Sequence, residues 1–297
     1  MINESEIASL IYLLDDTDDE IVVQIESKIL SFGHQAIPYL EQASFDEAEI
    51  IRLERLQNLI KELKRDGIIN QLKDWKQNYS DDLLKALLII EQIEFARVDT
   101  QGIKNQLDKI RLDAWLEFKY DLTSFEQIKV MNYVFFNVHK FKGNADNYHH
   151  VHNSYLSKVL ENRTGNPVSL GIVYSLIAQR INIPVYGVNL PQHFVLGYKN
   201  QEGVEILKRF NDESSLSFDE NDEVMFYINP FSDGLILNAD SIRSFLKQLQ
   251  LESKPEYFSI CSNIEIIKRV LRNLTFSYGK TKETKKMELV KLLLEVL

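Results

Sequence analysis

The chain has 297 residues, 44% of them hydrophobic and 26% charged, with 34 Lys and Arg against 44 Asp and Glu for a net charge of −10. That size and apolar content suit two or three modules with a real core. The acidic balance argues against a general nucleic-acid or anionic-membrane binder, since both need a positive field. The single cysteine, Cys261, excludes an intrachain disulfide.

The opening Met1-Ile-Asn-Glu-Ser-Glu is acidic and lacks the architecture of a signal peptide. The longest apolar runs, such as Leu87-Leu-Ile-Ile90, are too short to cross a bilayer. A cytoplasmic protein with no membrane partner and no nucleic-acid partner is expected.

Residues 1–66 read as helical throughout, with helices expected near 4–14, 18–31, 36–43 and 46–65. Asp15-Asp16-Thr17-Asp18 supplies a break and a cap. The run from Val22 to Leu30, then Gly33, then Ile37-Pro-Tyr-Leu40 and a long amphipathic stretch resembles one HEAT-type helix pair. One copy does not make a solenoid, and a simple helical cap on the main domain explains the same pattern.

Residues 67–123 continue helical and are expected to dock on the domain after them, because no Pro-, Gly- or Ser-rich linker intervenes. The helix beginning at Asp81-Asp82 is apolar on most sides, which is the mark of a buried helix. Trp75 and Trp115 read as packing residues. A further amphipathic helix covers 124–139.

An irregular stretch, Phe141 to Ser154, comes next and holds His149, His150 and His152, with His139 just before it. No cysteine accompanies them and the only nearby acid is Asp146, so the stretch lacks a zinc ligand set and reads as a polar loop. Neither a metal nor a cofactor is expected.

Asn166 then caps a helix whose first position is Pro167. Apolar residues at 170, 173, 174, 177 and 181 give it one buried face. Asn182 suits the left-handed end position and Pro184 forbids continuation. Ser169 therefore lies in the first turn, at the positive end of the helix dipole. A β-rich segment carries His193 just after Pro191, with a partner strand at 204–207 and an acidic surface loop at 210–223. The strand 224–228 ends at Asn229-Pro230-Phe231, and helices near 239–250, 262–278 and 282–296 complete the chain. Lys280, Lys282, Lys285 and Lys286 read as a solvated helix end.

A helix-borne residue at the nucleophile position, then a strand carrying His, then a strand ending in Asp or Asn resembles the transglutaminase-like superfamily, which shares its core with papain-type proteases. The bacterial SirB-type branch is the closer likeness. Its pattern is present as Phe141-x-Gly-Asn144, Tyr148, Asn153-Ser154, Val159-Leu-Glu161, Arg163, Gly165-x-Pro-x-Ser-Leu170 and Leu190-Pro-x-His-Phe194. The likeness covers roughly residues 80 to 297.

It implies an α+β fold. A helical N-terminal region (1–66, with 67–123 docked) packs on a papain-like core of helix plus antiparallel sheet (124–250), followed by a helical C-terminal tail (251–297). It also implies that Ser169, His193 and Asn229 stand at the Cys, His and Asp positions and converge. Asn144, Tyr148, Asn153, Arg163 and Gln192 are then candidates for ligand contacts.

Two of those three triad types depart from the active pattern. A cysteine at a helix N-terminus becomes a thiolate near neutral pH, whereas a serine hydroxyl starts several units higher. The helix dipole's contribution of about 0.3–1 kcal/mol does not close that gap. Asn229 can orient an imidazole but, being neutral, cannot stabilise imidazolium as Asp does. Asp233, four residues further on, is a possible substitute.

The expectation is a degenerate site in a non-catalytic or weakly active module that binds a peptide, a protein segment or a small ligand. The alternatives are a serine-type acyl hydrolase or acyltransferase using Ser169 and His193, and an adaptor working through its helices alone. Cys261 reads as an ordinary small buried residue.

Overall fold

The computed structural model describes residues 3–47, 49–119, 121–199 and 224–297. The strand expected at 204–207 and the acidic loop expected at 210–223 lie outside these residues. The chain divides into two compact units, one ending at Asp74 and one spanning Trp75–Glu295.

The first unit is helical: α1 (Glu4–Tyr12), α2 (Asp19–Ser31), α3 (Ile37–Asp46) and the greater part of α4 (Ile50–Asn78). Asn3 and Asp18 cap the first two helices by accepting from the backbone N–H of Ser5 and Glu20. Gly33, at φ 62°, turns the chain after α2 in a conformation that costs a glycine little. Ile7, Leu14, Ile25, Ile29, Leu40, Leu56, Leu59 and Leu63 form its core. The helix expected to stop at 65 runs on through Gly67, which costs a helix only about 1 kcal/mol.

The second unit holds α5 (Leu83–Glu91), α6 (Thr100–Glu117), α7 (Ser124–Asn132), α8 (Leu156–Asn162), α9 (Pro167–Arg180), α10 (Ala239–Gln248), α11 (Asn263–Thr281) and α12 (Thr284–Val296). Its strands are β1 (Lys142–Gly143), β2 (Thr164–Gly165), β3 (Val185–Leu190), β4 (His193–Lys199), β5 (Val224–Asn229) and β6 (Leu235–Leu237). β1 and β2 make a small parallel pair, and β3-β4-β5-β6 an antiparallel sheet. This is an α+β fold. No helix among the described residues is long and apolar enough to cross a membrane.

α9 is the centre of this unit. Every residue from Pro167 to Ala178 is buried, so the helix is enclosed on all sides rather than on the single face its spacing suggested. β3 and β4 pack on one side of it, and α6, α8 and α11 on others. At Gly171 the helix lies so near the sheet that a Cβ would meet the Phe194 ring at 2.8 Å. The opposite face of the sheet carries Val188, Leu190, Val195, Val224 and Tyr227 against Ile242 and Leu246 of α10. α7 continues as a π-helical turn, Tyr133–Val138, that leads into the stacked pair Phe135 and Phe141. Trp75 is fully buried and donates from its indole to the Asp82 carbonyl at 2.8 Å. Trp115 is 58% exposed, contrary to its reading as a packing residue.

Candidate functional site

The loop from 141 to 155 and the start of α9 are built as one polar lattice. Asn166 accepts from the Ser169 N–H through Oδ1 at 3.0 Å, and its own N–H donates to Ser169 Oγ at 3.0 Å. Ser169 Oγ donates back to the Asn166 carbonyl at 3.2 Å, and Asn166 Nδ2 donates to Ser154 Oγ at 3.1 Å. One step further out, Asn144 Nδ2 donates to Asn153 Oδ1, and Asn153 Nδ2 donates to the carbonyls of Asn147 and Tyr148. The β1–β2 pair adds backbone bonds from Lys142 to Arg163 and from Asn144 to Gly165. Asn153, Ser154, Asn166 and Ser169 are all buried. Buried polar groups need partners, and here they supply them to one another.

Beneath this loop, Glu91 accepts from the Ser157 N–H at 3.0 Å and from its hydroxyl, at the start of α8. Burial holds its carboxyl above the usual carboxylate range despite those bonds. Tyr155 and Tyr278 share a hydrogen bond, Tyr278 donates to Glu94 at 2.7 Å, and Lys286 donates to Glu94 at 2.9 Å. Lys286 thus ties α12 to the unit, in place of the solvated role read from the sequence.

The triad positions sit in three local arrangements, and no hydrogen bond joins them among the described residues. Ser169 is 5% exposed and its hydroxyl is engaged in the cap just described. His193 begins β4 and shares the face of Val195, because side chains alternate along a strand. Its ring lies 5.6 Å from Phe245 of α10, whereas Phe194 lies on the α9 side of the sheet. Burial, helped by the nearby positive charge of Arg269, holds the His193 imidazole below the ordinary histidine range. Asn229 ends β5 and serves the following turn, accepting from the Phe231 N–H and donating to Ser232 Oγ, both at 3.1 Å. Asp233 is exposed in a left-handed conformation.

Of the candidate contact residues, Asn144 and Asn153 are the lattice itself. Arg163 ends α8 at φ 57°, and its guanidinium lies 4.9 Å from the Phe141 ring with Nη1 buried and without a hydrogen bond. Gln192 is exposed at φ 58°, in the two-residue turn between β3 and β4. Tyr148 is partly exposed and packs edge-on against Phe231 and His149.

The histidines disperse. His139 bonds Asp113 at 2.9 Å, His149 packs on Phe276 at 4.5 Å, and His150 and His152 pack on each other at 4.8 Å. Among the described residues, no group of three or more His, Cys, Asp or Glu is placed to hold a metal ion. Cys261 is partly buried, and burial pushes its thiol up to about 12, which leaves it unreactive.

Sequence reasoning missed Arg269. It reaches from α11 to the end of β3, where Nη1 donates to Asn189 Oδ1 at 3.4 Å and to the Leu190 carbonyl at 3.3 Å. Its charge is felt by both Tyr148 and His193, so it stands among residues the family pattern had singled out. Within the sequence it is one more base in a charged helix, and no local signal distinguishes it.

Comparison with known proteins places this core. The transglutaminase-like superfamily profile matches residues 101–272, more than half of the chain. A UPF0162 protein of Xylella fastidiosa is 30% identical over 141 residues, which are 48% of this chain and 45% of that protein. A UPF0162 protein of Vibrio cholerae is 23% identical over 192 residues, 64% of this chain and 61% of that one. Human F-box only protein 21 is 30% identical over 158 residues, 45% of this chain and 25% of that protein. The chain therefore spans less than two thirds of each of these relatives. No solved structure matches. On the strength of the superfamily match, the chain belongs to the transglutaminase-like superfamily.

Proposed function

We propose that the protein is a binding module of the SirB-type branch, with a degenerate Ser-His-Asn site that has little or no turnover, and that it recognises a peptide or protein segment. The observation that carries this reading is the state of the Ser169 hydroxyl. It accepts from the Asn166 N–H and donates to the Asn166 carbonyl, so its proton is committed to the backbone rather than to a base. A serine nucleophile needs that proton taken by an adjacent base, and the His193 ring packs on Phe245. The helical unit ending at Asp74 is read as a HEAT-like interaction surface, supported by the exposed Phe45, Ile50 and Ile51.

The test is chemical. Fluorophosphonate labelling and a broad ester and amide panel are expected to give no Ser169-dependent signal. In a Cys261→Ala background, Ser169→Cys is expected to give a thiol that iodoacetamide reaches only on unfolding. Rapid alkylation at mildly acidic pH, well below the free thiol value of about 8.5, that is abolished by His193→Ala would replace the binding reading with a thiol-type catalytic site.

A further inference from the structure

The observation left over is a row of cations without counter-ions among the described residues. Arg269, Arg272, Phe276 and Lys280 fall at i, i+3, i+7 and i+11 of α11, the spacing of one helix face. Among the described residues, none of the three bases forms an ion pair with a carboxylate. The two described acids that flank the row in sequence are occupied. Glu265, one turn before Arg269, is held by Lys268 at 2.9 Å, and Glu283, after Lys280, is held by Lys286 at 2.9 Å.

Arg269 is the costly member. It is partly buried, its two hydrogen bonds are long and go to uncharged acceptors, and burial with the neighbouring Arg272 lowers its affinity for its own proton. A half-desolvated guanidinium that meets another cation instead of a carboxylate is destabilised until an anion arrives. Aromatic surface lies between the charges. Phe276 is 51% exposed, carries His149 at 4.5 Å on its ring and has Lys280 Nζ 4.8 Å from its centroid. Tyr148 lies next to His149, within the field of Arg269. From Arg269 to Lys280 the strip runs about 16 Å at the helical rise.

We infer that this face of α11, with Tyr148 and His149 beside it, is a docking strip for an acidic peptide segment bearing an aromatic or apolar residue between its carboxylates. The inference rests on the binding-module reading and adds the chemistry of the partner. Arg269 offers the fork that takes a carboxylate on two N–H donors. Arg272 and Lys280 supply exposed charge along the segment, and Phe276 a ring for its apolar residue. Alternating bases and aromatics also suit single-stranded nucleic acid. A protein with a net charge of −10 repels a polyanion as a whole, and a short acidic segment suffers that repulsion least.

The experiment uses the full chain and a fluorescein-labelled decapeptide of Asp and Glu with one central Tyr. Its Asn/Gln counterpart and a single-stranded oligonucleotide are the comparison probes. The acidic peptide is expected to bind with an affinity that falls as salt rises, and the amide counterpart to bind at least tenfold more weakly. Arg272→Glu with Lys280→Glu alters two surface side chains away from the core, and is expected to weaken binding at least tenfold without moving the melting temperature. Arg269→Gln is expected to do the same, but it also breaks two bonds to the end of β3, so the exposed pair is the deciding variant.

Equal binding of the acidic and amide peptides, unchanged binding by the exposed pair, or preference for the oligonucleotide would each overturn the strip. Those results leave the binding-module reading standing, since that reading falls only to Ser169-dependent turnover or to rapid, His193-dependent alkylation of Ser169→Cys. A random peptide selection separates the two further. Enriched sequences without acidic residues, whose binding ignores Arg272→Glu with Lys280→Glu, would sink the strip while supporting the module.

Discussion

At the start of α9, Asn166, Ser169 and Ser154 exchange hydrogen bonds with one another and are shut away from solvent. Along α11, Arg272 and Lys280 are exposed and, among the described residues, without a carboxylate partner, while Arg269 is partly buried and finds only neutral acceptors there. Both places are dense in residues that chemistry uses, yet their accounts close differently. The first is internally satisfied, so its polar groups fix a loop and have nothing left to offer a ligand. The second lacks a partner of opposite charge among the described residues. A family pattern of polar residues is therefore a mixed signal, with some members holding the frame and others facing outward.

The sharpest way to separate the two roles is to break the frame. The Asn153 side chain takes part in three hydrogen bonds, from Asn144 and to the carbonyls of Asn147 and Tyr148, in a residue only 3% exposed. Asn153→Ala leaves buried groups unpaired and is expected to cost about 3 kcal/mol, which for a unit of this size lowers the melting temperature by roughly 6–12 °C. Because Tyr148 is carried by that loop, peptide binding is expected to fall as well. Arg272→Glu should lower binding alone. Calorimetry on both variants checks the contrast, and a thermally neutral Asn153→Ala would show that the lattice is not what holds the loop.

A smaller effect sharpens the place of His193 between the two regions. Its imidazole is held below the ordinary range by burial and then by Arg269, so the folded state resists a proton that the unfolded state accepts from about pH 6.5. The unfolded state binds more protons in that window, and stability falls as pH falls through it. The contribution is complete above about pH 6.5, and its slope cannot exceed about 1.4 kcal/mol per pH unit for one proton. His193→Gln is expected to flatten the denaturation profile between pH 7.5 and 5.5. An anion bound at Arg269 should raise the His193 titration midpoint, tracked by its ring NMR signals. A midpoint that ignores the acidic peptide would place the peptide elsewhere.

How far the sequence was legible depends on the range of the forces involved. The cap of α9 is local: Asn166 before Pro167 announced it, and Asn182 at φ 61° ends the helix as its residue type suggested. The strand ending at Asn229 was open to reading from its alternation, whereas the α+β class and the antiparallel sheet came with the family likeness and β6 was not foreseen. Nor was the enclosure of α9, because burial on every side depends on α6, α8 and α11 arriving from far along the chain. Ser169 in the first turn was read correctly as to position, but only the reciprocal bonds with Asn166 reveal where its hydroxyl is engaged. Arg269 is the extreme case. Its meaning comes from Tyr148, Asn189 and His193, brought together from as much as 121 positions away, and helix periodicity cannot see that.

The smallest effect tests a single turn at the edge of the candidate site. Leu190-Pro191-Gln192-His193 joins β3 to β4, with Gln192 at φ 58°. Proline suits the first central position of such a turn, and glycine the second, where φ is positive. A glutamine there carries the steric cost of the left-handed region, which glycine avoids while losing more chain entropy on folding. Gln192→Gly is therefore expected to stabilise the protein by about 0.5–1 kcal/mol, read as a small rise in the denaturation midpoint at constant slope. Its side chain is exposed, so nothing in the core opposes the change. The family likeness had offered Gln192 as a ligand contact, and the same variant decides that. If Gln192→Gly raises stability while acidic-peptide binding stays unchanged, the residue belongs to the frame. If stability rises but binding drops, the strained glutamine is kept for its side chain, and the docking surface extends from α11 across the hairpin beside His193.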